Sequence, residues 1–365
     1  MLQSVRKLKS LLTFNVCYRL GVSRLPYPPL LVNLEPTNHC NLRCPMCPVS
    51  VNYPTVERGL MEMSLFERIV GEIAPFRPEV ALNLGGESAL HPELVRMVRE
   101  LKRAGMYVFL DTNATRLTPR ISEGLLDAGI DKLVFCLDGD TPETYEAMRA
   151  RGHFAETVEN IRHFLRLRRE GNRRTTYTVI KNIRYYDPDS EAAFPKSFAR
   201  LFDDCPPDEY RFTWADYWPG SHRHQVREQY KVQPFSDDDY IPCINLWKKL
   251  PISWDGMVYI CCLDLNRTSP VGSVQEMGVL GAWNAPAMKE FRRRHAGRGQ
   301  ARLPLCRNCN QIRRRPENPL AGLLNAGGDR FTPWVREQKP VQISPAAVAT
   351  GVRRGAARGE SSGEQ

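Results

Sequence analysis

Long apolar runs are missing from this chain, and no stretch approaches the ~20 residues needed to cross a bilayer. A secretory signal is missing as well: the early apolar patch is broken by Arg19 and Arg24 and has no small-residue cleavage site. Both absences point to the cytoplasm. The eleven cysteines do not form the even, spread pattern of a disulfide framework. Grouped as CxxxCxxC and CxxC, they indicate metal or cluster ligation in a reducing compartment. The net charge of +10 gathers at Arg292-Arg293-Arg294, Arg313-Arg314-Arg315 and Arg353-Arg354. No aromatic-interleaved strand or recognition helix accompanies these blocks, which argues against nucleic acid and for a solvated or site-covering basic surface.

What is present fits one large α/β domain with a smaller module, spread over 365 residues. Residues 1–29 form a basic, amphipathic segment expected to be helical, packing on the larger domain or resting on a membrane surface. From 30 to 220, short apolar runs alternate with helical patterns. Strands are expected at Leu30–Leu34, Val80–Leu84, Tyr107–Leu110, Lys132–Leu137, Thr176–Ile180 and Tyr210–Thr213. Helices are expected near 63–74, 92–104, 119–128, 142–150, 154–170 and 191–202. That alternation predicts a parallel sheet with right-handed crossovers, curled into a partial (β/α)6 TIM-like barrel with ligands at the carboxyl ends of its strands. A cysteine-bearing module spans 235–312, and 313–365 reads as a basic, largely disordered tail.

Three cysteines occupy one loop after the first strand, in the run Glu35-Pro-Thr-Asn-His-Cys-Asn-Leu-Arg-Cys-Pro-Met-Cys-Pro48. Four thiolates close a tetrahedral metal site, whereas three on a four-iron cluster leave one iron open to a small molecule. A structural zinc loop would need a fourth ligand, for which only His39 is near. The spacing of Cys40, Cys44 and Cys47 resembles the signature of the radical S-adenosylmethionine (SAM) enzymes. In that family SAM chelates the free iron and is cleaved reductively to a 5′-deoxyadenosyl radical.

The resemblance extends along the chain and implies further roles. Gly85, Gly86 and Glu87 match the family's Gly-Gly-Glu, which contacts the SAM amino group, and Asp111-Thr-Asn113-Ala114-Thr115 is similar to its Thr-Asn-Gly stretch. Ala114 stands where the Gly is usual. The run Cys136-Leu-Asp138-Gly139 looks like its Ser-x-Asp-Gly segment, with Cys136 in place of the Ser that bonds SAM and Arg149 as the grip on the SAM carboxylate. A buried apolar filler is the competing role for Cys136, and Asn182 is a further pocket candidate.

Cys243, then Gly256 followed by four residues and Cys261, then Cys306-Arg-Asn-Cys309, resemble the SPASM/Twitch extension of the same family. In its shorter Twitch form, Cys243, Cys261, Cys306 and Cys309 would hold one auxiliary 4Fe-4S cluster; a zinc site is the alternative. Cys262 is either a hydrogen-atom donor or a packed thiol pointing away. Arg211, Asp216, His222 and His224 are candidate substrate contacts over the pocket mouth, with Asp216 or a His as proton acceptor.

The cofactors implied are two 4Fe-4S clusters and SAM, with an electron donor such as flavodoxin or ferredoxin. Only 39 residues precede Cys40, whereas peptide-modifying relatives often begin with a peptide-binding domain. The expectation is therefore oxidation or epimerisation at a carbinol carbon of a carbohydrate or aminocyclitol. Peptide maturation is the alternative, and a zinc-stabilised, non-enzymatic nucleic-acid binder is a third.

Overall fold

A computed structural model describes residues 2–51, 55–171, 175–184, 196–214, 240–307 and 309. Among these residues nine strands form one sheet. They are β1 (Leu31–Leu34), β2 (Glu79–Ala81), β3 (Tyr107–Thr112), β4 (Lys132–Cys136), β5 (Tyr177–Arg184), β6 (Glu209–Trp214), β7 (Lys249–Ile252), β8 (Met257–Tyr259) and β9 (Pro270–Ser273). Their order is β6-β5-β4-β3-β2-β1-β7-β8-β9, parallel from β6 through β7 and antiparallel beyond. The six expected strands therefore lie side by side in chain order, as repeated right-handed crossovers require.

The helices in chain order are α1 (Leu2–Arg19), α2 (Pro48–Val51), α3 (Met63–Ile73), α4 (Leu94–Arg103), α5 (Pro119–Asp127), α6 (Pro142–Met148), α7 (Phe154–Glu170), α8 (Lys196–Arg200), α9 (Asn245–Lys248), α10 (Val274–Trp283) and α11 (Pro286–Ala296). Local chemistry sets several starts. Thr118 caps α5 by accepting from the Ile121 amide, with Pro119 in the first turn, and Thr141 and Thr144 close a capping box on α6. The crossover helices present apolar residues at helical spacing: Phe66, Ile69 and Ile73 on α3, Leu94, Met97, Val98 and Leu101 on α4, Ile161, Phe164 and Leu165 on α7. These meet the alternate strand residues Val32, Leu34, Val80, Val108, Leu110, Leu133, Phe135 and Ile180 in one core. Each such side chain contributes about 1.5–3 kcal/mol when fully buried.

The intervening strand residues face away from the helices and are unusually polar. Asn33, Glu79, Lys132, Glu209 and Arg211 are all buried there. At the carboxyl end of the same face, Asp111, Cys136 and Lys181 are partly exposed. Strand alternation and the register Cys136↔Lys181 place these three together.

Three differences from the sequence reading matter. The second strand ends at Ala81, which leaves Leu84 in the following turn, and β5 runs on to Arg184. Helix 191–202 is described only at Lys196–Arg200. The C-terminal module extends the main sheet, because β7 pairs with β1 from Leu31↔Lys249 to Leu34↔Ile252. Helix α1 packs against α9 of that module, through the Tyr18–Trp247 ring contact at 5.5 Å. The segment 215–239 and the tail 313–365 lie outside the described residues.

Candidate active site

The cysteine loop leaves β1 and is braced by side chains that bond its backbone. Asn38 donates to Glu57 O at 2.8 Å and accepts from Gly59 N at 3.0 Å, while Arg58 donates to Asn38 O at 3.0 Å and Val49 O at 3.1 Å. Cys47 N donates to Cys44 O at 3.0 Å, which closes a turn between the second and third cysteines. Burial pushes the Cys40 thiol up to about 12, and the neighbouring Glu87, Cys47 and Cys44 add to the effect. The Cys47 thiol is raised by burial and by Cys44. Cys40 and Cys47 therefore resist ionisation until a cation is bound. Positive hydrogen-bond donors point at the loop thiols: Arg149 Nη1 lies 3.7 Å from Cys44 Sγ, and Asn113 Nδ2 lies 4.0 Å from Cys40 Sγ. This donor set suits an iron–sulfur cluster carrying anionic thiolates.

The glycine turn after β2 abuts this loop. Gly86 has φ +79°, and a Cβ there would come within 2.5 Å of His39 O, so only glycine lets the turn close. Glu87 N then donates to His39 O at 2.8 Å. The Glu87 carboxylate is buried, and its Oε1 accepts from Thr112 Oγ1 at 2.7 Å and Ala89 N at 3.1 Å. Its Oε2 accepts from Asn113 N at 2.7 Å. Of the roughly four acceptor positions of a carboxylate, one on Oε2 is left toward an ammonium. Burial raises the Glu87 pKa in spite of those three bonds.

Asn113 spends its carbonyl oxygen on Thr115, whose N and Oγ1 donate at 3.0 and 2.7 Å, and its amide on Asn41 Oδ1 at 3.2 Å. It fixes the cysteine loop to the end of β3. Ala114, in the place of the usual glycine, sits at φ +62° and is fully buried. That conformation costs a non-glycine residue ~1–2 kcal/mol.

Arg149, the expected grip on the SAM carboxylate, pairs through Nη2 with the buried Asp138 Oδ2 at 2.6 Å, and its Nη1 lies 3.7 Å from Cys44 Sγ. Its buried Nε has no hydrogen-bond partner among the described residues. Asn182 is buried, donates to Leu137 O at 2.9 Å and accepts from Arg184 Nε at 2.9 Å, so it ties the end of β5 to the segment after β4. The Cys136 thiol, pushed up to about 12 mainly by burial, lies among Lys181, Asp111, Arg149 and Asp138. It is neither a simple core filler nor bonded to a defined acceptor.

In the C-terminal module Cys243 precedes α9, Cys261 and Cys262 follow β8, and Cys309 N meets Cys306 O at 3.0 Å. Gly256, at φ +82°, makes the β7–β8 turn, where a Cβ would collide with Gln275. Burial raises Cys243 to about 11, with Cys262 adding, and raises Cys306, with Cys243 and Cys309 adding. Electrostatic interactions link Cys261 and Cys306 to Cys243 and Cys309, and Leu263 N donates to Cys261 Sγ at 3.3 Å; among the described residues no three or more His, Cys, Asp or Glu side chains are arranged closely enough to hold a metal ion. The Cys262 thiol interacts with that of Cys261, its neighbour in the chain, which lowers the pKa of Cys262 and raises that of Cys261.

Sequence reasoning passed over two groups. Lys181 on β5 and Asp111 on β3 form an ion pair at 3.9 Å across Cys136, with side chains 26% and 30% exposed. A lysine interrupting an apolar strand was the available signal. Glu35 joins the cysteine loop, the glycine turn and the C-terminal module. It accepts from Gly85 N at 2.9 Å, Trp254 N at 3.2 Å and Arg267 Nη2 at 2.9 Å. Nothing in the sequence singles out Arg267. Arg211 faces the sheet interior and is bound by Glu209 at 2.8 Å. Asp216, His222 and His224 lie outside the described residues.

Comparison with known proteins agrees with this geometry. Residues 34–185 match the radical SAM superfamily, and residues 243–310 match the SPASM iron–sulfur cluster-binding domain. The tungsten-containing aldehyde ferredoxin oxidoreductase cofactor-modifying protein of Pyrococcus furiosus is 33% identical over 141 residues, which span 38% of either chain. A PqqA peptide cyclase of Ruegeria pomeroyi is 30% identical over 133 residues, 36% of this chain and 35% of the cyclase. BtrN in complex with AdoMet and 2-DOIA shares the fold with a TM-score of 0.51 at 15% identity, covering 78% of this chain and 94% of BtrN.

Proposed function

We propose, from the match of residues 34–185 to the radical SAM superfamily and of residues 243–310 to the SPASM iron–sulfur cluster-binding domain, that the protein is a radical SAM enzyme that oxidises or epimerises a carbinol carbon of a carbohydrate or aminocyclitol. When bound, two 4Fe-4S clusters and SAM supply a 5′-deoxyadenosyl radical that takes hydrogen from a C–H bond, and an acceptor for an electron left on the substrate. Cys40, Cys44 and Cys47 hold the SAM-binding cluster. Cys243, Cys261, Cys306 and Cys309 hold the auxiliary one. Gly85, Gly86, Glu87 and Arg149 receive SAM, with Asn113, Cys136 and Asn182 forming the pocket wall.

One observation carries the reading: the Gly85-Gly86-Glu87 turn is locked onto the cysteine loop through Glu87 N and His39 O at 2.8 Å. A ligand on the open side of the three thiols is therefore within reach of the turn. A polar substrate is supported by Asp111 and Lys181, which offer a paired acceptor and donor at the carboxyl ends of β3 and β5. Asp111 takes the hydroxyl proton while Lys181 donates to the same oxygen. Burial opposes the Lys181 charge, but Asp111 and the other neighbours outweigh it and its pKa is raised. Asp216 and Cys262 are the remaining candidates for proton and hydrogen-atom transfer.

The grouping of the cysteines as CxxxCxxC and CxxC supports a reducing, cytoplasmic setting with reduced flavodoxin or ferredoxin as donor. No helix among the described residues is long and apolar enough to cross a membrane. The relatedness to PqqA peptide cyclases favours a peptide as the second substrate class. Deuterium transfer into 5′-deoxyadenosine from labelled sugars, aminocyclitols and peptides separates the two. Label from sugars or aminocyclitols is expected, and label from peptides alone would reject this reading.

A further inference from the structure

Helix α1 has two apolar faces, and the fold uses one. Phe14 and Cys17 are buried, and Tyr18 stacks near Phe14 at 6.1 Å while its hydroxyl donates to Pro242 O at 2.7 Å. The outer face carries Leu8, Leu12, Val16 and Leu20, which are 54%, 50%, 56% and 74% exposed. At four-residue spacing these side chains form one stripe that winds through about 120° of the helix surface. They account for four of the seven large hydrophobic residues found exposed among the described residues.

Within the segment that carries the stripe the charge has one sign. Residues 1–34 contain Arg6, Lys7, Lys9, Arg19 and Arg24 and no Asp or Glu. Lys9 and Arg24 are exposed. A second copy of the chain would set these cations against themselves. A specific protein partner is usually anchored by aromatic residues, and the nearest aromatics here, Phe14 and Tyr18, are turned into the core. An anionic bilayer surface asks only for an aliphatic stripe with cations beside it. We propose that α1 is an interfacial membrane anchor that seats the enzyme on anionic lipid through Leu8, Leu12, Val16 and Leu20. Because Tyr18 bonds to Pro242, next to Cys243, the cysteine-rich module lies on the bilayer side. The proposal is independent of the substrate reading.

The test is co-sedimentation of the full-length, cluster-loaded protein with vesicles of phosphatidylcholine alone or mixed with phosphatidylglycerol. Binding is expected to the mixed vesicles, to weaken with added salt, and to fall about a hundredfold in Leu12→Glu/Val16→Glu. Leu20→Glu, near the end of the helix, provides a second and milder variant with about a tenfold loss. Circular dichroism and iron content are expected to stay unchanged in both, since the altered side chains face solvent. Failure of the parent to sediment with anionic vesicles overturns the proposal, as does undiminished binding by both variants. A dimer that the double substitution converts to monomer, without vesicle binding by either form, would assign the stripe to self-association instead.

Discussion

Replacing Arg267 by Ala tests how the C-terminal module is fastened to the SAM-binding loops. The Glu35 side chain is 3% exposed and Arg267 14%, with 2.9 Å between them. Arg267 also lies 5.7 Å from the Tyr259 ring and 6.0 Å from the Trp254 ring. Removing one partner of a buried ion pair costs about 3–5 kcal/mol because the other charge is left without compensation. Two backbone donors, Gly85 N and Trp254 N, still reach Glu35. The loss should therefore fall near the lower end, about 3 kcal/mol.

The effect has a definite pH sign. Burial raises the folded-state pKa of Glu35, and Arg267 is the main group opposing that rise. Without Arg267 the folded pKa climbs further above the unfolded value of about 4.3. The folded state then binds more protons than the unfolded one within that window, so the variant loses stability as pH rises through it. Anaerobic urea unfolding of parent, Arg267→Ala, Glu35→Gln and the double variant at several pH values measures the loss and the pairwise coupling. A loss below about 1 kcal/mol near pH 7, the level of an exposed pair, would refute the buried junction. So would a penalty that grows as pH falls.

Three further outcomes follow from the site. Gly86→Ala forces a Cβ against His39 O, and should lose SAM binding and the iron of the first cluster together; retention of both by calorimetry and iron analysis would contradict the locked turn. Asp111→Asn and Lys181→Met should each lower product formation about 100-fold or more while 5′-deoxyadenosine still forms, as expected for proton handling; equal loss of both products would make the pair a SAM contact. Cys306→Ala should lose about half the iron and all substrate conversion while SAM cleavage partly survives, and unaffected product formation would rule out an obligatory auxiliary cluster.

The parallel core was readable because its signal is local and repeated. Apolar runs such as Lys132–Cys136, followed by capped helices such as Pro142–Met148, announce both period and boundary. The cysteine sets were readable because sulfur spacing is itself the chemistry. What stayed hidden depends on long-range partners. Glu35 and Arg267 are 232 residues apart, and no spacing rule connects a loop carboxylate to an arginine of another module. The inward commitments of Glu87 and Arg149 were equally invisible, because motif position says which residues are near a ligand and not how many of their hydrogen bonds the fold already uses. Lys181 was missed for a related reason: the face of a strand is fixed by register, and β5 ends four residues beyond the expected Ile180, at Arg184.

On the proposed reading, the loop of Cys40, Cys44 and Cys47 holds a cluster on which SAM is cleaved. 5′-Deoxyadenosine formation from SAM by the anaerobically reconstituted, reduced protein beside its Cys44→Ala variant tests this. SAM-dependent 5′-deoxyadenosine is expected from a brown parent containing about eight iron per chain, and none from the variant, which keeps only the auxiliary cluster. A colourless parent with stoichiometric zinc and no 5′-deoxyadenosine, or equal amounts of 5′-deoxyadenosine from parent and variant, would contradict it.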